Sequence, residues 1–186
     1  MPPKRRYSKE AIINTAFNAL RDEGAESVNV RNIAAKSGCS TQPIMYYFDS
    51  IEQLKREVYL KADDFHTDYI TNISGESKDM LKNIALRYIR FAVEERELFR
   101  FLFHSEYSAE NTLMDSVSAD DNEIAAELLQ PLFNISKENS IILFRQLFMF
   151  VHGYACFLSD HRSSFDESRV RKDIESAVKG FICSFK

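Results

Sequence analysis

Turn-forming residues are scarce in this chain: five glycines and four prolines among 186 residues. Val, Thr and Gly-rich turn clusters are sparse too, which disfavours a sandwich or barrel and favours helix throughout. No apolar run approaches the roughly 20 residues that a membrane span needs. The first residues, MPPKRRY, are polar and basic and lack the apolar segment of a secretory signal. A cytosolic protein without membrane association is therefore expected. Cys39, Cys156 and Cys183 are odd in number and widely spread, so they make no disulfide framework, and no Cys/His spacing suits a metal. Each is read as a small packing residue. There is no Gly-rich phosphate loop, nucleophile elbow or His/Glu metal motif. Paired carboxylates such as Asp63-Asp64 and Asp120-Asp121 read as solvated faces. No catalytic residue and no cofactor are expected.

The composition that remains, 45% hydrophobic and 28% charged, is that of an ordinary globular protein of one large or two small domains. Its net charge of −4 argues against a nucleic-acid partner until the distribution is considered. Residues 1–48 hold seven Lys/Arg and four Asp/Glu, a net +3, whereas the rest holds seventeen and twenty-four, a net −7. A basic end on an acidic body suggests that only the first fifty residues meet phosphate. Lys4, Arg5 and Arg6 form a basic arm of the kind that reaches phosphates or a minor groove.

Ser8 is a good N-cap for a first helix, on which Ile12, Ala16 and Leu20 share a stripe before Gly24 ends it. Asn29 suits the N-cap of a second helix with Val30, Ile33 and Ala34 facing inward and Arg31 near its exposed start. The break at Ser37-Gly38-Cys39 is followed by a short third helix, about 40–46, with Ser40 predicted to cap Gln42 and Pro43 in the first turn. Two short helices across a tight Gly-containing turn make a helix-turn-helix, whose second helix can enter a major groove. Thr41 and Gln42 on its first turn suit base edges: Gln bonds adenine bidentately and Thr offers a methyl to thymine. Arg31, Lys36, Ser40, Tyr46, Tyr47 and Lys55 are the expected remaining DNA contacts, chiefly to the backbone.

Ser50 and Gln53 form a capping box for a long fourth helix, whose apolar stripe runs from Ile51 to Ile73. Ser77 is placed to cap a fifth helix, an aromatic sixth covers 98–104, and a polar loop covers 105–121. A seventh helix follows near 122–133. The eighth, 140–158, is apolar nearly all round, which predicts burial on every side. The last, 166–185, is amphipathic. These last two are the expected homodimer interface, through Phe150, Gly153, Tyr154, Phe157, Ile174, Val178 and Phe181, as a four-helix bundle. His152 is read as a packed interface histidine.

The order of features resembles the TetR family of bacterial transcription regulators. Residues 8–24 are similar to that family's first helix, NVRNIAAKSGCS to its second helix and turn, and STQPIMYYF to its recognition helix and aromatic exit. The close resemblance covers about 8–60; beyond it, Val-His-Gly at 151–153 is similar to some members. The family usually has Val where Cys39 stands, a phosphate-binding Tyr where Met45 stands, and Lys where Ile51 stands. The resemblance implies an all-α protein of about nine helices, with a helix-turn-helix domain over 1–50 and a helical ligand-binding and dimerisation domain over 51–186. It also implies a cytoplasmic, nucleoid-associated repressor that binds a palindromic double-stranded operator as a dimer and is released by a small-molecule effector. For the effector pocket His66, Tyr69, Tyr88, Phe99, His104, Tyr107, Arg145 and Gln146 are the expected polar and aromatic lining. Two other readings are a constitutive or architectural DNA binder without effector, and a helical enzyme or carrier.

Overall fold

A computed structural model describes residues 7–72, 77–108, 119–161 and 165–185. The basic arm of Lys4, Arg5 and Arg6 and most of the polar loop expected at 105–121 lie outside the described residues. Among the described residues there are nine α-helices and no strand. In order they are α1 (Lys9–Glu23), α2 (Val30–Ser37), α3 (Gln42–Tyr47), α4 (Ile51–Thr71), α5 (Ser77–Glu94), α6 (Arg96–His104), α7 (Ala119–Phe133), α8 (Lys137–His161) and α9 (Glu167–Cys183). The chain divides into two compact units, one of Met1–Thr67 with Glu95–Ala109, the other of Asp68–Glu94 with Glu110–Lys186. The division does not follow the predicted boundary at residue 50. Most of α4 and all of α6 fall with the N-terminal helices, because their apolar residues complete the core that α1 begins.

In the first unit, local chemistry sets the helix ends. Ser8 Oγ accepts the Ala11 N–H at 3.1 Å, and Asn29 Oδ1 accepts that of Asn32 at 2.9 Å. Gly24 ends α1 at φ +85°, ψ 177°, a conformation open in practice only to glycine. Ser50 Oγ takes the Gln53 N–H at 3.2 Å, and the Gln53 side chain takes the N–H of Asp49, one residue earlier than in a standard capping box. The expected Ser40 cap is not made. Thr41 occupies the N-cap of α3, already in helical conformation (φ −68°, ψ −18°), and no side chain caps the helix. Pro43, at the second helical position, has no N–H for a cap to satisfy, which halves the benefit of one there.

Ile12, Ala16, Phe17 and Leu20 of α1 are buried with Ile33 and Ala34 of α2, Ile44 and Phe48 around α3, Leu54, Val58 and Ala62 of α4, and Leu98, Phe99, Phe101 and Leu102 of α6. Arg21 makes a two-pronged ion pair with Glu95 (Nε–Oε2 2.6 Å) and lies over the Phe65 ring at 5.2 Å, tying α1 to the start of α6. His66 is buried on the same side of α4, edge-on to Phe103 at 5.4 Å between ring centres.

In the second unit α8 is central, packing against α5, α7 and α9. Leu143, Leu147, Val151, Ala155 and Leu158 form its buried stripe, and Val170, Ile174 and Val178 that of α9. Tyr88 of α5 and His152 of α8 are both buried and joined by a 2.8 Å hydrogen bond to Nδ1. Helix α8 is the only one among the described residues long and apolar enough to cross a membrane by length and composition. It is not buried all round, as its composition predicted. Ile142, Met149 and Phe157 are exposed, in line with exposed Arg145 and Gly153, so one long face of the helix is exposed.

Burial drives the His66 imidazole down to about 4 from its usual 6.5, because the charged form loses its hydration. The folded value lies below the unfolded one, so the unfolded chain takes up the proton first. Stability is therefore full above pH 6.5 and falls as pH drops toward 4, by about 3 kcal/mol at most. Urea unfolding at a series of pH values should show this loss, and His66→Phe should flatten it; a profile unchanged by that substitution contradicts the assignment.

Candidate nucleic-acid interface

Helix α2 ends in a Schellman closure. The Gly38 N–H reaches the Ala35 carbonyl at 3.1 Å and the Cys39 N–H reaches Ala34 at 3.0 Å, with Gly38 left-handed at φ +64°. That reversal turns the chain into α3 within a few residues. Ile44 and Phe48, both 1% exposed, fasten α3 from below. Everything between them on the outer side is left to solvent: Ser40, Thr41, Gln42, Met45 (48% exposed) and Tyr46 (65%). Ser40, Thr41 and Gln42 make no side-chain hydrogen bond to other described residues, so the Gln42 amide is free to pair with a base edge.

The predicted backbone contacts lie around this surface in three different states. Arg31 is exposed at the start of α2, and Lys55 is half-buried on the first turns of α4; neither is ion-paired among the described residues. Lys36, also exposed, is paired with Glu23, whose carboxyl that lysine holds below the usual range. Tyr47 is half-buried, and its hydroxyl donates to the Tyr7 carbonyl at 3.0 Å. A phenol has one proton to donate and a phosphate oxygen only accepts, so Tyr47 cannot hold phosphate while that bond stands. Its expected role as a phosphate contact is revised to an internal one, and Tyr46, packed edge-on against it at 5.1 Å, is the exposed tyrosine. Tyr7 was not singled out by the sequence. The only signal was an aromatic residue just ahead of the Ser8 cap.

The eight residues expected to line one effector pocket divide four and four between the two units. In the first, Phe99 is fully buried and His66 nearly so, while Tyr107 is half-buried and His104 exposed. In the second, Tyr88 is buried on His152, and the Tyr69 hydroxyl donates to Glu94 at 2.6 Å. Burial first and the Glu94 carboxylate second push the Tyr69 phenol up. Arg145 is exposed and Gln146 half-buried. None of the eight lines the cavity of about 360 Å³ in the second unit, whose walls are Leu81, Lys82, Phe133, Glu175, Val178, Lys179 and Ile182. Periodicity identified the inward-facing aromatics, but whether they enclose space or fill it depends on packing between distant segments.

Residues 12–58 match the family model described as bacterial regulatory proteins, tetR family. The chain carries a TetR-family helix-turn-helix domain. No curated protein matches it. Solved structures extend the likeness to the whole chain at the level of fold. A tetR-family transcriptional regulator from Streptomyces coelicolor is similar with TM-score 0.70 and 14% identity, over 97% of this chain and 85% of that one. A putative TetR-family regulator from Mesorhizobium loti gives 0.64 and 20%, over 96% and 98%. The multidrug binding protein EbrR, complexed with imidazole, gives 0.54 and 18%, over 94% and 95%. Both units thus have the TetR-type all-helical fold.

The Lys36–Glu23 pair competes with the phosphate contact expected of Lys36. In Glu23→Gln the lysine is released, and the slope of log K against log salt for duplex binding should steepen by about 0.9 for each additional phosphate neutralised. An unchanged slope would remove Lys36 from the interface.

Proposed function

We propose that this chain is a ligand-responsive transcriptional repressor that binds a palindromic operator as a homodimer in the cytoplasm, at the nucleoid. The observation that carries the reading is the exposed first turn of α3. The Thr41 and Gln42 side chains make no hydrogen bond to other described residues, on a helix fastened by buried Ile44 and Phe48. A rigidly seated, unsatisfied amide suits direct base readout, while Ser40, Arg31, Lys36, Tyr46 and Lys55 surround it for the phosphates.

The dimer reading rests on the exposed apolar face of α8. Met149, Gly153 and Phe157 lie on it, Phe150 and Tyr154 flank it half-buried, and Phe181 of α9 is half-buried. Ile174 and Val178 are withdrawn from the proposed interface, because they already pack into the core of their own chain. A face from each protomer would complete a four-helix bundle and set two recognition helices on successive turns of the duplex. For the effector, the cavity of about 360 Å³ in the second unit is of ligand-binding size, with apolar walls and a Lys82–Glu175 pair at 3.2 Å. EbrR, which shares the fold, is described as a multidrug binding protein. Release would follow if the effector prefers a conformer in which the recognition helices are misspaced, with α4 as the covalent link between units.

A second reading, a constitutive DNA binder without effector, is favoured by one observation: of the residues expected to line a pocket, Phe99 and His66 fill a core, and Tyr69 and Tyr88 bond to Glu94 and His152. A thermal-shift screen of small hydrophobic compounds on the full chain, with and without operator, separates the two.

In duplex selection from a random library, the wild-type chain should return a palindrome. Gln42→Ala should lose about 1–3 kcal/mol of discrimination at one base pair per half-site. An unaltered consensus would exclude Gln42 from readout. By light scattering at micromolar concentration the wild type should be a dimer and Met149→Asp/Phe157→Asp a monomer; a monomeric wild type refutes the interface.

A further inference from the structure

The cavity of about 360 Å³ in the second unit joins two kinds of surface. Glu175, Val178, Lys179 and Ile182 recur at the helical spacing, so all four stand on one face of α9. Leu81 and Lys82 of α5 and Phe133, the last residue of α7, form the other walls. Leu81, Phe133 and Ile182 are half-buried and pack against the core around Leu129 and Leu143, so the apolar part of the lining is continuous with that core. The polar part carries three charges. Lys82 Nζ donates to Glu175 Oε1 at 3.2 Å, and their charges cancel. Lys179 is exposed and makes no hydrogen bond or ion pair with another described residue. The lining is thus one positive charge in excess, although residues 49–186 carry a net −7.

We infer that this cavity takes a small amphipathic carboxylate, its apolar tail against Leu81, Phe133, Val178 and Ile182 and its headgroup on the Lys179 ammonium. The inference rests on the effector-cavity reading above and adds the chemistry of the occupant. Volume limits the tail. At the roughly 30 Å³ that a water molecule takes in the liquid, the space holds about a dozen non-hydrogen atoms, which suits one medium-length chain. The tail supplies affinity by leaving water, and the charge selects among tails of equal length. An alcohol gains no ion pair from Lys179, and a cation meets the positive excess. Glu175 stands one turn before Lys179 on the same face and repels a second negative charge. A singly charged carboxylate is therefore favoured over a phosphate dianion.

The test titrates the full chain with octanoate, 1-octanol and octyltrimethylammonium, which share one tail and differ in headgroup charge. Calorimetry gives the affinities, and methyl NMR locates the bound tail. Octanoate should bind and shift the Leu81, Val178 and Ile182 methyl resonances, with 1-octanol about tenfold weaker and the cation weaker still. Lys179→Gln lies on the exposed face of α9 and should leave the melting temperature unchanged. It should weaken octanoate about three- to tenfold and leave 1-octanol unaffected, and Lys179→Glu should weaken octanoate further. Octanol binding as tightly as octanoate overturns the carboxylate assignment, as does tighter binding of the cation. Methyl shifts confined to other residues, an octanoate affinity indifferent to both Lys179 substitutions, or no octanoate binding at millimolar concentration overturns the site. A parallel titration of the complex with its selected duplex keeps the two claims apart. Octanoate that binds in the cavity and leaves duplex affinity unchanged upholds the inference and removes the cavity's effector role; octanoate that releases the duplex, with the release weakened by Lys179→Gln, supports both.

Discussion

A six-residue helix does not form by itself in water: nucleation costs more than so few hydrogen bonds return. Helix α3 therefore exists only because its surroundings hold it, and the recognition surface depends on that constraint. Gly38 turns the chain without steric cost, and Ile44 and Phe48 press into a core built by α1, α2 and α4. Its outer side is exposed and carries Thr41, Gln42 and Tyr46. The same core reaches α6 through buried Leu98 and Phe99 and the Arg21–Glu95 pair. The scaffold of the helix-turn-helix thus includes residues 95–109 as well as the N-terminal segment.

The second unit obeys a different constraint. Its central helix α8 carries apolar residues on its exposed face as well as on its buried one. Leu143, Leu147 and Val151 are satisfied by α5, α7 and α9, whereas Met149 and Phe157 remain in water. Phe157 alone is 57% exposed. An apolar stripe of that length facing water is costly, and burial against a second copy removes the cost.

Much of the helical framework was legible in the sequence because helix ends are local chemistry. Ser8, Asn29 and Gly24 do what their types and positions predict, and Ser50 with Gln53 needs only a shift of one residue in one bond. Ser40 failed as a cap for a reason equally local, the proline two positions after Thr41. The surface of α3 was legible too, since the helical period separates Ile44 and Phe48 from Gln42 and Tyr46. What the sequence hid was non-local. Ile174 and Val178 stand on an amphipathic stripe whose pattern is the same for a core as for an interface. Phe99 and Tyr88 look the same whether they line a cavity or fill one. The clasp between Tyr7 and Tyr47 joins residues 40 positions apart through a backbone carbonyl that no side-chain pattern reports.

The central claim is that α3 reads a major groove twice, once from each protomer of a dimer. Dimethyl sulfate and hydroxyl-radical footprinting of the full chain on its selected duplex tests this directly. The account predicts two symmetric patches of major-groove protection, separated by one helical turn of about 34–36 Å or a multiple of it. A single patch, or uniform backbone protection without groove contacts, would contradict it.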